Sequence, residues 1–157
     1  MQKITTFLWF DDNAEEAMNF YVSVFKNSKL LNVSRLPEGA PGAAGKVTMG
    51  KFQLEGQEFM ALNGGPHFKF TEAISLFVSC ETQAEVDELW TKLTADGGSE
   101  SQCGWLKDKF GLSWQIIPTA LPRLLGDKDP ARAQRAMQAM LTMKKIDVAK
   151  MEEAAAG

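Results

Sequence analysis

The sequence predicts an α+β fold made of two successive strand–helix–three-strand (βαβββ) modules, followed by a helical C-terminal extension. Three observations predict it. A run of β-branched and aromatic residues leads into a helical apolar stripe twice, over residues 4–24 and again over 74–93. At an offset of 69 residues, Ala17, Phe20, Tyr21 and Val24 fall on Val86, Leu89, Trp90 and Leu93, and Thr6 falls on Ser75. Such self-similarity is the pattern that internal duplication leaves. After Pro118 the strand signals stop and only helical ones remain.

Residues 4–10 read as a strand ended by Asp11, Asp12 and Asn13, residues suited to capping the helix that follows. From Ala14, the stripe Ala17, Phe20, Tyr21 and Val24 has the i, i+3, i+4, i+7 spacing of a helix with one buried face, and Asn27-Ser28 ends it. Residues 30–36 form a strand, and the Pro/Gly/Ala composition of 37–45 predicts a loop. Residues 46–54 and 57–62 read as two strands joined at Glu55-Gly56, with a linker from Asn63 to about Ala73.

The order then repeats. Residues 74–80 are a strand, Thr82 and Glu85 have capping-box spacing, and Val86, Leu89, Trp90 and Leu93 give the second helix its apolar face. Gly97-Gly98 closes that helix, and strands follow at 100–103, 105–106 and 112–118. At a different offset, residues 55–60 align with 110–115, setting Met60 on Gln115. In the extension, Asp129 and Pro130 open a helix whose stripe is Ala133, Ala136, Met137, Met140 and Leu141, with Lys144 and Lys145 suited to the helix dipole near its end. Asp147 caps a short helix reaching Met151, and residues 154–157 are expected to fray. The stripe Met137, Met140, Met143 and Met151 reads as packing on the sheet or on a second subunit, in preference to a binding groove. The expected divisions are 1–66 and 67–119, together one domain, and 120–157.

Hydrophobic residues make up 45% of the 157, and charged residues 24%, an ordinary globular balance. A net charge of −3 offers no general attraction for a phosphate backbone, which argues against nucleic acid. Two cysteines, Cys80 and Cys103, are too few for a disulfide framework and fit the cytoplasm. The chain shows no basic-then-apolar leader and no apolar run long enough to span a membrane.

The stretch 103–118, Cys-Gly-Trp-Leu-Lys-Asp-Lys-Phe-Gly-Leu-Ser-Trp-Gln-Ile-Ile-Pro, resembles the C-terminal signature of the PhnB-like proteins of the glyoxalase, or vicinal-oxygen-chelate, superfamily. The opening strand, Ala14-Glu15-Glu16-Ala17 with Phe20-Tyr21, and Lys144-Lys145-Ile146-Asp147 resemble the same family, so the likeness runs nearly the full length. The resemblance implies mixed sheets curled around a cavity between the modules, and a homodimer. In metal-dependent relatives such as glyoxalase I, four His or Glu side chains on the first and last strands hold a divalent ion. The positions carried over are Thr6, Met60, Ser75 and Gln115, a donor set poor in charge and in strong lone pairs. The single histidine, His67, sits in the linker. Neither a metal nor another cofactor is therefore expected.

Family members often carry the label 3-demethylubiquinone-9 3-methyltransferase. A Rossmann-type methyltransferase needs a glycine-rich turn after its first strand. Phe10-Asp11-Asp12-Asn13 is not one, and neither Gly64-Gly65 nor Gly97-Gly98 lies in such a frame.

With the strands curled as the resemblance implies, alternation sets Thr6, Leu8 and Phe10 on a concave face with Ser75, Phe77 and Ser79, joined by Met60, Ser113, Gln115 and Ile117. A mostly apolar cup with a few hydroxyls and an amide suits a small molecule. Trp105 is the candidate stacking ring, while Trp9, Trp90 and Trp114 supply buried area. Cys103 reads as a structural cysteine, with a thiol activated by Lys107 or Lys109 as its alternative, and Asp108-Lys109 reads as a turn. The reading is metal-independent binding of a small molecule. The alternatives are a lyase, isomerase or dioxygenase-like enzyme in which Thr6, Ser75 and Gln115 orient substrate, and an oligomeric interaction protein docking through the Met-rich helix.

Overall fold

Alternation in the first strand is what positions everything else, and it is visible in the computed structural model, which describes residues 1–39, 41 and 45–157. Ala40, Gly42, Ala43 and Ala44, within the loop expected over 37–45, lie outside the described residues. The chain divides into two units, Met1–Phe70 and Thr71–Gly157.

The first unit runs β1 (Thr6–Phe10), α1 (Ala14–Val24), β2 (Lys29–Arg35), β3 (Val47–Leu54) and β4 (Gln57–Asn63). The sheet order is β1-β4-β3-β2, with β1 parallel to β4 and the other pairs antiparallel. The β3–β4 hairpin closes through Glu55 and Gly56 at φ +48° and +83°, the paired positive values a tight two-residue loop requires.

Helix α1 departs from expectation at its start and on its buried side. Asn13 at the N-cap makes no side-chain cap bond. The Ala14 N–H instead donates to Asn63 Oδ1 at 2.8 Å, while Asn63 Nδ2 donates to the Val47 carbonyl at 2.9 Å. A side chain at the end of β4 thus caps a helix that follows β1. The buried residues are Ala14, Ala17, Met18, Tyr21 and Val24, so Met18 takes the place expected of Phe20. Gly50 explains this: a Cβ there would lie 2.6 Å from Met18 Sδ, so the glycine makes room for Met18 against β3.

The second unit repeats the plan with β5 (Ser75–Cys80), α2 (Gln83–Thr94), β6 (Ser99–Glu100), β7 (Trp105–Lys107) and β8 (Ser113–Pro118), ordered β5-β8-β7-β6. Thr82 Oγ1 accepts from the Glu85 N–H, and Val86, Leu89, Trp90 and Leu93 are all buried, as the spacing predicts. The strand expected at 100–103 ends at Glu100, because Cys103 (φ +58°) and Gly104 (φ +84°) turn the chain and the Trp105 N–H returns to the Gln102 carbonyl. Each unit therefore carries an open, mixed four-stranded sheet with a helix on one face.

Three helices follow: α3 (Ala120–Leu125), which the sequence reading missed, α4 (Pro130–Leu141) and α5 (Val148–Ala156). They bury Leu121, Leu124, Ala136, Ile146, Met151 and Ala155 around Ile117. The expected α4 stripe is corrected: Met137 and Leu141 are exposed, and Ala136 with Ala139 and Met140 makes the contact, since small residues let helices approach closely. Lys145 lies beyond α4 and pairs with Asp87 of α2 at 2.8 Å. Nor does the C-terminus fray. Helix α5 continues to Ala156, and Arg135 Nη2 donates to the Ala155 carbonyl at 2.7 Å. Among the described residues no helix is long and apolar enough to cross a membrane.

Candidate functional site

Strand pairing decides which residues share a face. In the first unit, Thr6 pairs with Phe59 and Leu8 with Ala61, on the side where Phe52 stacks between Phe59 and Tyr21 of α1 at centroid distances of 5.5 and 6.3 Å. Thr6, Leu8 and Phe10 thus face the helix, and Leu8 and Phe10 belong to the core. Met60 points the other way and pairs with Phe7. The expected grouping of Thr6 and Leu8 with Met60 is corrected: β1 presents Phe7 and Trp9 on the open face.

The cause is a single residue. Three residues separate β1 from α1, and two separate β5 from α2. The helices superpose at an offset of 69, whereas the strands do so at 70, which sets Phe7 on Phe77 and Leu8 on Val78. A slip of one residue moves every side chain of a strand to the opposite face.

The open face of the first sheet carries Phe7, 47% exposed, beside Met60, with Trp9 and Met49 flanking Leu62. A concavity of about 500 Å³ lies on it, lined by Leu31, Asn32, Ser34, Met49, Lys51 and Met60 among others. Lys51 and Glu58, both in its lining, form an ion pair at 3.9 Å. Trp9 is fixed by its Nε1–H to the Gly65 carbonyl (2.9 Å) and by the edge of Phe68. Gly64 is required there, since a Cβ would come within 2.3 Å of the indole.

In the second unit the expected residues do share a face. Leu76, Val78, Trp114 and Ile116 turn toward α2, leaving two cross-sheet rows on the other side. One row is Phe77, Gln115 and Trp105. The other is Ser75, Ser113, Lys107 and Ser99. Gln115 Nε2 donates to Ser75 Oγ at 2.9 Å, tying the rows together. Phe77 is 58% exposed, whereas Ile117 is covered by the C-terminal helices. Lys107 forms an ion pair with Glu72, and its hydrogen bond holds the Glu72 carboxyl below the usual carboxylate range.

Cys103 sits off these rows in the β6–β7 turn, its N–H bound to the Met143 carbonyl at 2.8 Å. Cys80 is fully buried, and desolvation, with the nearby Glu85 charge, pushes its thiol up to about 12. Asp108 is buried and accepts the N–H groups of Phe110 (2.8 Å) and Leu112 (3.1 Å) and the Trp114 indole N–H (2.9 Å), the turn role expected of it. Sequence reasoning missed Phe7, Met49, Glu72 and Lys107 as face residues. Only Phe7 carried a signal, its match to Phe77 at the offset of 70.

The positions carried over for a metal do not fit one. Thr6 is on the wrong face of its sheet for Met60, and the Gln115 amide is engaged with Ser75. Hydroxyl, thioether and amide remain weak donors for a divalent ion. Among the described residues no three His, Cys, Asp or Glu side chains are grouped to hold a metal ion.

Residues 2–117 match the family model described as 3-demethylubiquinone-9 3-methyltransferase. A Bacillus cereus protein described by that name and as PhnB is 44% identical, covers 75% of this chain and 100% of its own, and superposes with a TM-score of 0.70. A Pseudomonas aeruginosa protein is 21% identical over 75% of this chain and 98% of its own, with a TM-score of 0.61. The fosfomycin resistance protein FosX of Listeria monocytogenes, solved with Mn(II) and a sulfate ion, is 15% identical over 79% of this chain and 96% of its own, with a TM-score of 0.53. The last two show the fold alone. No curated protein matches the chain.

Proposed function

The chain belongs to the PhnB-like family described as 3-demethylubiquinone-9 3-methyltransferase, with the glyoxalase-type fold, and on that premise we propose that it binds a small organic molecule without a metal ion. The candidate binding surface is the open face of each sheet, each taken by itself. One observation carries this reading. Each sheet buries one face under its own helix and leaves on the other an aromatic residue open to solvent, Phe7 beside Met60 and Phe77 beside the Gln115–Ser75 pair. Apolar surface with a few fixed polar groups is the usual make-up of a ligand site.

Methyl transfer of the Rossmann type is not part of the proposal. The turn from β1 into α1 is Asp11-Asp12-Asn13, and three of the four strands in each sheet are joined by antiparallel pairing. The working form is a cytoplasmic homodimer. Exposed apolar residues such as Ile4, Phe68 and Ile74, and the free thiols of Cys80 and Cys103, support that part of the reading.

Thermal unfolding of EDTA-treated protein against fractionated small-molecule extracts tests the proposal. We expect at least one fraction to raise Tm without added metal, and Phe77→Ala to diminish the rise. Stabilisation that appears only when a divalent ion is restored would contradict it.

A further inference from the structure

Asn63-Gly64 is the only Asn-Gly pair in the chain. Such a pair is chemically labile, because glycine puts no side chain in the way when its backbone nitrogen approaches the asparagine carboxamide. The structure requires both halves of it. Asn63, the last residue of β4, accepts the Ala14 N–H through Oδ1 (2.8 Å) and donates to the Val47 carbonyl through Nδ2 (2.9 Å). A carboxylate in its place would keep the first bond and lose the second. Gly64 lies against the Trp9 indole, where a Cβ would come within 2.3 Å. Packing and capping thus build the labile pair into the end of β4.

The reacting groups are also held. Asn63 pairs with Phe10 at the end of β1, and the Gly64 N–H donates to the Phe10 carbonyl at 2.8 Å. The Gly65 N–H donates to the Asp11 carbonyl at 3.1 Å, and the Trp9 Nε1–H donates to the Gly65 carbonyl at 2.9 Å. With its N–H engaged, the Gly64 nitrogen is a poor nucleophile, and with both ends of its carboxamide bonded, Asn63 is not free to swing toward it. We propose that Asn63 is a deamidation site guarded by this junction, converted when the end of the β1–β4 pair opens locally while the rest of the chain stays folded. In that step the Gly64 nitrogen attacks Asn63 Cγ, its proton passing through solvent to the departing Nδ2. The N–Cγ bond forms, the Cγ–Nδ2 bond breaks, ammonia leaves, and a cyclic imide remains. Water then opens the ring at either carbonyl, giving aspartate or isoaspartate, the latter with a backbone one carbon longer. Neither carboxylate can donate to the Val47 carbonyl, and the longer link displaces Gly64 from Trp9. The conversion is one-way, so it accumulates with every opening.

The test incubates the full chain at mildly alkaline pH, folded and in denaturing guanidinium chloride, and follows the tryptic peptide 52–69 by mass and isoaspartate content. Asn63 is the one asparagine in that peptide. In the unfolded chain Asn63 is expected to convert faster than any other asparagine, and in the folded chain at least about tenfold more slowly than that. Trp9→Phe deletes the indole N–H and is expected to speed conversion in the folded chain about tenfold, the worth of one hydrogen bond. Ile146→Ala weakens the second unit instead and should leave the folded rate within about twofold of the wild type. If Trp9→Phe does not fold, wild type in guanidinium below its unfolding midpoint reads the same gate: conversion should climb before global unfolding begins. Equal rates in folded and unfolded wild type, or no acceleration by Trp9→Phe, would overturn the guard. An acceleration by Ile146→Ala that matches Trp9→Phe would overturn local opening as the route. Asn63→Asp made directly should lower the urea midpoint, and an unchanged midpoint would overturn the structural consequence drawn from the lost Val47 bond.

Discussion

At the residue scale, burial and partners separate structure from function. Asp108 looked from the sequence like a turn former beside a candidate pocket, and its three accepted N–H bonds make it the clasp that bends the chain into β8. Cys80 is the clearest titrating case. Its thiol is pushed up to about 12 in the fold, by burial first and then by the Glu85 charge. Below the ordinary thiol range both folded and unfolded chains keep the proton, so the group contributes nothing there. As pH rises above that range the unfolded chain loses its proton first, and folding stability falls until the folded thiol titrates too. Urea unfolding of Cys80→Ala beside the wild type should show the wild type losing more stability between about pH 8 and 10. Equal losses would mean the thiol is not desolvated. Thr6 and Leu8 show what single residues hid. Their types suited a pocket, but only pairing partners reveal the face, and a lone strand does not print its parity in its sequence.

At the scale of elements, the strand and helix order was legible because each helix has a stripe at 3.6-residue spacing and each turn has its own chemistry. Thr82 with Glu85 and Asp129 before Pro130 both cap as their spacing predicts. Long-range devices were not legible. Asn63 reads as a strand end, yet it caps α1 and ties that helix to β3. Asn63→Ala should therefore lower stability by about 2 kcal/mol, the upper end for a lost N-cap, because the Val47 carbonyl also loses its donor. A urea midpoint unchanged at constant m-value would refute the cap. Helix α3 was missed because Leu121 and Leu124 are too few to form a stripe, and their burial comes from neighbours distant in sequence.

At the scale of the whole molecule, the duplicated plan was readable from an offset of 69, and both sheets share one strand order. The family match ends at residue 117, so the three C-terminal helices lie beyond it. They are nevertheless built into the second unit. Gln83 Nε2 donates to the Ile146 carbonyl (2.9 Å), its Oε1 accepts the Val148 N–H (2.8 Å), and Ile146 is fully buried close to Gly104. Ile146→Ala should cost about 3 kcal/mol by urea unfolding, the range for an emptied core site. A loss below about 1 kcal/mol would mean the extension is only loosely attached. Metal-independent binding of a small organic molecule is open to native mass spectrometry with parallel metal analysis, on protein purified without metal-affinity steps. A retained or readily added organic ligand at a fixed ratio to the chain, undisturbed by EDTA, is the expected result. A near-stoichiometric divalent ion that the ligand requires would contradict it, and would return Gln115 and its neighbours to the role of metal ligands.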